Sequence, residues 1–267
     1  MEVGDDIMTQ VFFVCLFAGV VAGIEIGFAS VSAATIIAPI LIALLGVPWY
    51  EAIGIGLAAD VLAAAFSAYE YRKQIDVKNG LIMLAFVLIM TFVGSYFSQY
   101  LPDTEMGWIS VVLSLICGLR FLRSAKGKEG KNFLSFFMQW DWMKRALAIG
   151  VGCYIGFWCG FVGAGGGMML LVGLTIILGY EVKTAVGTGV FIMIFTALIG
   201  AVSHCYFGDM QDYIPALVLC CIFTFIAAWI SSKFANEMET RKTSLVTGTI
   251  LLVLCICLLV KMIVSLI

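Results

Sequence analysis

The sequence predicts an all-α polytopic membrane protein, built as two inverted repeats of about five membrane segments each. Each repeat opens on a broken-helix, re-entrant-like hairpin. Three observations carry this. Apolar residues make up 63% of the chain and charged residues 12%, against about 45–50% and about 25% in soluble domains. The Lys and Arg residues fall into a few loops. A pattern of small residues recurs at a constant spacing of 133 positions.

Apolar runs near the roughly 20 residues needed to cross a bilayer read as segments 8–29, 31–46, 49–70, 77–101, 106–123, 143–162, 166–179, 182–206, 212–233 and 243–265. They neither alternate nor stay short, which excludes a membrane β-barrel. The N-terminus "MEVGDDIMTQ" has three acids and no Lys or Arg. It lacks the positive region of a secretory signal, so 11–29 reads as a retained span.

Charge sets orientation, because Lys and Arg concentrate in cytoplasmic loops. Arg72, Lys73 and Lys78 share one loop, and Lys183 marks another. Arg120, Arg123, Lys126, Lys128, Lys131, Lys144 and Arg145 surround the long stretch 124–142, and Lys233, Arg241 and Lys242 a further loop. Placing these inside leaves only Lys261 of the 15 basic residues outside. Both termini are then outside, and residues 124–142 form a cytoplasmic linker between a first repeat, 1–123, and a second, 143–267. Phe133, Phe136, Phe137, Trp140 and Trp142 suit a segment lying on the bilayer surface. Nothing in a net charge of −2 points to nucleic acid.

The same logic shapes two hairpins. Residues 145 and 183 lie on one side, so "CGFVGAGGGMMLL" (159–171) is the tip of a segment that enters and returns. Residues 8–46 form the opposite hairpin, with its tip in "GFASVSAA" (27–34). Its second arm, 31–46, is only roughly 24 Å long as a helix, so the tip stops inside the membrane. The two hairpins align without gaps: Gly23 with Gly156, Gly27 with Gly160, Phe28 with Phe161, Gly46 with Gly179, Ala52 with Ala185, Gly54 with Gly187, Gly56 with Gly189, and Asp76 with Asp209. Asp76 falls inside and Asp209 outside, so the halves are inverted. Inverted repeats with broken helices are typical of secondary transporters, whose site lies near the midplane.

Helix N-termini carry free N–H groups and about half a positive charge, which suits an anion. Gly163, Gly165, Gly166 and Gly167 therefore read as a backbone cradle for a small anionic substrate; close helix packing, which also uses glycine, is the competing reading. No Lys-Ser/Thr pair follows, which excludes a Walker A loop, and no strand precedes, which excludes a dinucleotide loop. Ser30, Ser32, Thr35 and Thr188 are candidate hydroxyl donors; local bonding to helix carbonyls is their alternative.

Glu25 and Asp60 are the carboxylates well inside predicted spans. A charged carboxylate at the bilayer centre costs roughly 2.5–3.5 kcal/mol on insertion scales, and burial disfavours the charged form. Both are candidate coupling groups for a proton, with a Na⁺ ligand as the other option. A carboxyl reaching an interface, or held by backbone donors, is the plainer reading. His204 reads as an interfacial histidine near the end of its helix. Trp158 aligns with Glu25 and is a candidate pocket wall. The nine cysteines contain no CxxC and accompany one His; they read as small buried hydrophobes, without a metal site or cofactor. With no nucleophile–base pairing visible, the chain reads as a transporter and not an enzyme.

The run G-x-x-x-G-F-x-G-x-G-G-G, a short helix and then "EVKTAVGTGV" (181–190) resembles the TauE/SafE family of anion permeases across essentially the whole chain. The resemblance implies sulfite, an organosulfonate or a related sulfur oxyanion as substrate, and a cell-membrane location. Its A-x-G-T-small motif reads Ala185, Gly187, Thr188 and Gly189, which places Gly187 and Thr188 at the substrate. The first half departs from the pattern. Its tip is Ser30-Val31-Ser32-Ala33-Ala34, without glycines, and "AIGIGLAAD" (52–60) has Ile55 where the family has threonine. An anion channel and a cation/proton antiporter using Glu25 and Asp60 are the alternative functions.

Overall fold

The computed structural model describes residues 2–125, 141–162, 170, 173–174 and 180–264. Most of the expected segment 166–179, its glycine tip and most of the linker lie outside the described residues. The rest is helical, with no strand among the described residues. The helices are α1 (Glu2–Ala29), α2 (Ala34–Leu45), α3 (Trp49–Glu70), α4 (Val77–Ser98), α5 (Asp103–Ala125), α6 (Asp141–Val162), α7 (Val182–Phe207), α8 (Ile214–Glu237) and α9 (Thr240–Val264). A short 3₁₀ turn, Met210–Tyr213, precedes α8. Five helices among the described residues are long and apolar enough to cross a membrane. With α2 and the C-terminal half of α6 also apolar, the chain is a multi-pass membrane protein.

Helix α2 is the short one. Its 12 residues rise about 18 Å, well short of a bilayer core of about 30 Å. Gly46 ends it at φ 67°, with its N–H on the Leu41 carbonyl. Glycine adopts that left-handed conformation without penalty. Pro48 then opens α3 two residues later, so α2 and α3 pack as a tight antiparallel pair.

Helices α3 and α7 pack on one another at the centre. Helix α1 lies along α8, α6 along α4, and α5 along α9, while α8 also packs on α3 and α4 on α7. The α1–α8 and α6–α4 seams rest on small residues. A Cβ on Gly23 would sit 2.5 Å from the Thr224 carbonyl oxygen and 2.6 Å from Ala227 Cβ; one on Gly156 would sit 2.8 Å from Val87 Cα. Without a hydrophobic drive between helices in lipid, such close backbone approach and hydroxyl bonds supply the cohesion. Ser231 donates to the Gly23 carbonyl at 2.9 Å, and Ser95 to the Gly160 carbonyl at 3.3 Å. The glycines aligned as repeat positions are thus also packing residues.

Candidate functional site

The site is built where the chain breaks between α1 and α2. Ser30 takes φ 49°, a left-handed conformation rare outside glycine, and turns the chain out of α1 while its N–H still bonds the Ile26 carbonyl at 3.0 Å. Residues 30–33 then lead into α2. The first N–H groups of a helix have no partner within it, and here an acid from another helix takes one. Asp60, on α3, accepts the Ser32 hydroxyl at 2.5 Å and the Ala33 N–H at 2.6 Å. Ala34 N–H reaches Ser32 Oγ at 3.3 Å. All of these residues are buried, with Asp60 fully so.

Gly56 makes this meeting possible. It lies one turn before Asp60 on α3, and a Cβ there would stand 2.8 Å from Ala34 N and Cβ. The α3 backbone therefore rests directly on the start of α2. Thr35 and Ser30 add two buried hydroxyls with no hydrogen-bond partner among the described residues. Ser30 Oγ is also 3.0 Å from where a Cβ on Gly189 of α7 would be. The first break and the A-x-G-T-small stretch therefore meet.

The structure brings Asp60, Ser32 and Ser30 together and gives other candidates different surroundings. Thr188 Oγ1 accepts the Asp76 N–H at 3.1 Å, and Tyr180 donates to Asp76 Oδ2 at 2.7 Å. Its hydroxyl thus anchors the turn after α3. Gly187 packs on Tyr71, with a Cβ there 3.2 Å from Tyr71 Cβ. Glu25 is fully buried within α1. Trp158 is half-buried against Tyr154 and Phe161. Gly163, Gly165, Gly166 and Gly167 lie outside the described residues.

His204, expected near the end of its helix, lies in the last turn of α7 and is fully buried. Its ring lies 4.1 Å from that of Tyr50, with Nδ1 3.1 Å from the Tyr50 carbonyl and Nε2 3.4 Å from the Gly160 carbonyl. A neutral ring donates to one of these oxygens and an imidazolium to both. Across the molecule Tyr71 does the same for α1, its hydroxyl donating to the Gly27 carbonyl at 3.2 Å. Burial pushes the Tyr71 phenol up to about 12, so it stays a donor at neutral pH. His204→Leu leaves the Tyr50 and Gly160 carbonyls without the ring. A lost partner to a buried polar group costs about 1–3 kcal/mol, so the variant should melt several degrees below the parent in a tryptophan-fluorescence scan. An unchanged midpoint would show the contacts to be incidental.

The model of the sulfite exporter TauE/SafE family matches residues 15–258. The chain belongs to that family. Two probable membrane transporter proteins of Bacillus subtilis (strain 168) are similar to it. YdhB is 27% identical over 225 residues, covering 81% of this chain and 87% of the relative. YunE is 26% identical over 225 residues, covering 78% and 80%. The TauE/SafE match takes in α2 to α8 whole, with the Ser30–Ala33 break, Asp60 and His204 inside it. Family membership makes this chain a membrane transporter.

Proposed function

We propose that this protein is a secondary transporter of small sulfur oxyanions, sulfite or an organosulfonate, coupled to protons and working by alternating access in the cell membrane. The observation that carries the reading is the Asp60 carboxylate seated on the Ser32 hydroxyl and Ala33 N–H. Those donors suit any oxyanion oxygen, and the chain's own anion already sits on them. A substrate oxyanion and an ionised Asp60 exclude one another there. A proton on Asp60 weakens its hold and frees the donors, so a proton accompanies each anion. Cys159 of α6 and Cys221 of α8 are titratable groups within the field of Asp60, and Glu25 is the other buried carboxyl. In this reading Ser30, Ser32, Gly187 and Thr188 serve the substrate, Gly163, Gly165, Gly166 and Gly167 form the second-half cradle, and Glu25 is a further coupling candidate.

Two inverted halves, 1–123 and 143–267, joined by a cytoplasmic 124–142, fit the packing. Tyr71 and His204 are 133 positions apart, as are the carbonyls they meet, Gly27 and Gly160. Gly187 packs on Tyr71 as Gly54 packs on His204. Helix α1 on α8 likewise corresponds to α6 on α4.

The test is purified protein in liposomes with sulfite, sulfonates, thiosulfate and carboxylates at two pH values. Saturable sulfur-oxyanion flux that rises as pH falls on the entry side is expected. Asp60→Asn, which cannot cycle a proton, should run slowly and without that pH dependence. An unchanged pH profile in Asp60→Asn removes Asp60 from coupling. Ohmic, non-saturating current would mark a channel, and cation-dependent flux without anion preference a cation/proton antiporter.

A further inference from the structure

Two helix seams share one spacing of glycines but are set in different registers. Gly19, Gly23 and Gly27 of α1 lie 133 positions before Gly152, Gly156 and Gly160 of α6. On α8, Gly23 meets Thr224 and Ala228, and Gly27 meets Ser231 and Ser232. On α4, Gly156 meets Val87, and Gly160 meets Thr91 and Ser95. Thr91 and Ser95 correspond to Thr224 and Ala228 at the same spacing. Gly160 therefore occupies on α4 the level that Gly23, not Gly27, occupies on α8. Gly19 and Gly152 repeat the offset: Gly19 meets Cys220 and Thr224, Gly152 meets Met83 and Val87. The α6 seam thus sits four residues, about one helical turn, nearer the start of its partner.

A second observation falls in the same place. Ser231 donates to the Gly23 carbonyl at 2.9 Å. Its counterpart on α4, Ser98, is 2% exposed, and its hydroxyl has no hydrogen-bond partner among the described residues. Sliding α6 one turn toward the end of α4 brings the Gly156 carbonyl to Ser98 as Gly23 now stands to Ser231. Sliding α1 one turn toward the start of α8 takes Gly23 away from Ser231. Gly156 takes the place at Ser98 that Gly160 now holds, and Gly27 the place at Ser231 that Gly23 now holds, so each seam presents a glycine to the same hydroxyl after a one-turn step. After the slides the partner stripes are small: Ala216, Cys220, Thr224 and Ala228 on α8, and Thr91, Ser95 and Ser98 on α4.

We propose that these two one-turn slides are the conformational change of the transport cycle. The proposal rests on the inverted-halves reading above. Inverted halves run α1 and α6 in opposite directions. The two slides, one backward along α1 and one forward along α6, then point the same way across the membrane. Helices α1 and α6 move as one body against α4 and α8, carrying the Ser30–Ala33 break with them. Packed seams of this kind have discrete registers and jump between them.

The chain holds its own reporter. The Cys15 and Cys220 thiols are in hydrogen-bonding contact across the α1–α8 seam. After the slide Cys15 faces position 216. Membrane-permeant copper-phenanthroline on the full-length protein in liposomes should link Cys15 to Cys220, found as a joined peptide by mass spectrometry, and reductant-reversible loss of flux should follow. In Cys220→Ser with Ala216→Cys, a link between Cys15 and position 216 should form as well. Absence of the second link while Cys15–Cys220 forms in the parent, or full flux with Cys15–Cys220 closed, would overturn the slide. If both links form but no sulfur oxyanion moves, the slide stands and the substrate reading falls.

Discussion

Gly56→Val should lose transport by at least about 100-fold while the protein still inserts and purifies. The reason is local. A Cβ at Gly56 would stand 2.8 Å from the Ala34 nitrogen and Cβ, where real side chains do not go. Something must move, and the movable part is the start of α2. That start carries the Ala33 N–H that Asp60 holds at 2.6 Å, and Ser32 just before it, held at 2.5 Å. A shift near 1 Å between reacting groups costs on the order of 100-fold in rate. Overpacking itself costs about 1–3 kcal/mol, which the rest of the bundle can absorb. Gly150→Ala is the matched control. A Cβ there meets nothing within 4 Å, and alanine is the better helix former, so flux and thermal midpoint should hold. Wild-type flux in Gly56→Val would show that the α2–α3 contact does not position the site.

Gly156→Leu should do greater damage, and of a different kind. A Cβ at Gly156 runs into the α4 backbone around Val87, with Cα at 2.8 Å. Backbone on both sides leaves no flexible side chain to yield, so the helices must part along the seam that Gly152, Gly156 and Gly160 share. We expect little folded protein by fluorescence-detected size exclusion, a loss beyond the 4–5 kcal/mol that marks exceptional single substitutions. Gly23→Leu, facing the Thr224 carbonyl at 2.5 Å, should behave alike on the α1–α8 seam. A monodisperse Gly156→Leu protein of parental stability would remove close packing as the basis of these seams.

The helix boundaries were legible because hydropathy and loop charge report them directly. Segment 49–70 is α3 to the residue, and 31–46 contains α2 with three fewer residues at its start. Those three residues are the break itself, and hydropathy does not distinguish an apolar turn from an apolar helix. Ser32 and Asp60 were both visible as candidates, but in separate roles. They stand 28 positions apart, and only the fold joins them in one hydrogen bond. His204 carries the sequence signature of an interfacial residue: one polar side chain near a helix end. Its two carbonyl partners belong to Tyr50 and Gly160, and no local pattern foretells acceptors that distant. The glycines at 23, 27, 156 and 160 were visible in the sequence as pairs at a constant spacing of 133. Their packing role needed the partner helices, α8 and α4, to be placed against them.

The shortness of α2 has an electrical consequence. Its 12 residues descend about 18 Å from the Gly46 turn. Asp60 lies eleven residues beyond Trp49, where α3 begins, or about 17 Å along that helix. Both rulers put the Asp60 carboxyl near the middle of the insulating layer. A proton that couples transport through Asp60, as proposed above, falls through about half of the membrane potential on the way, worth about 1.2 kcal/mol per 100 mV. Even a cycle that moves no net charge then contains a voltage-sensitive step, and a brief displacement current should accompany loading of Asp60 when the membrane is stepped between potentials.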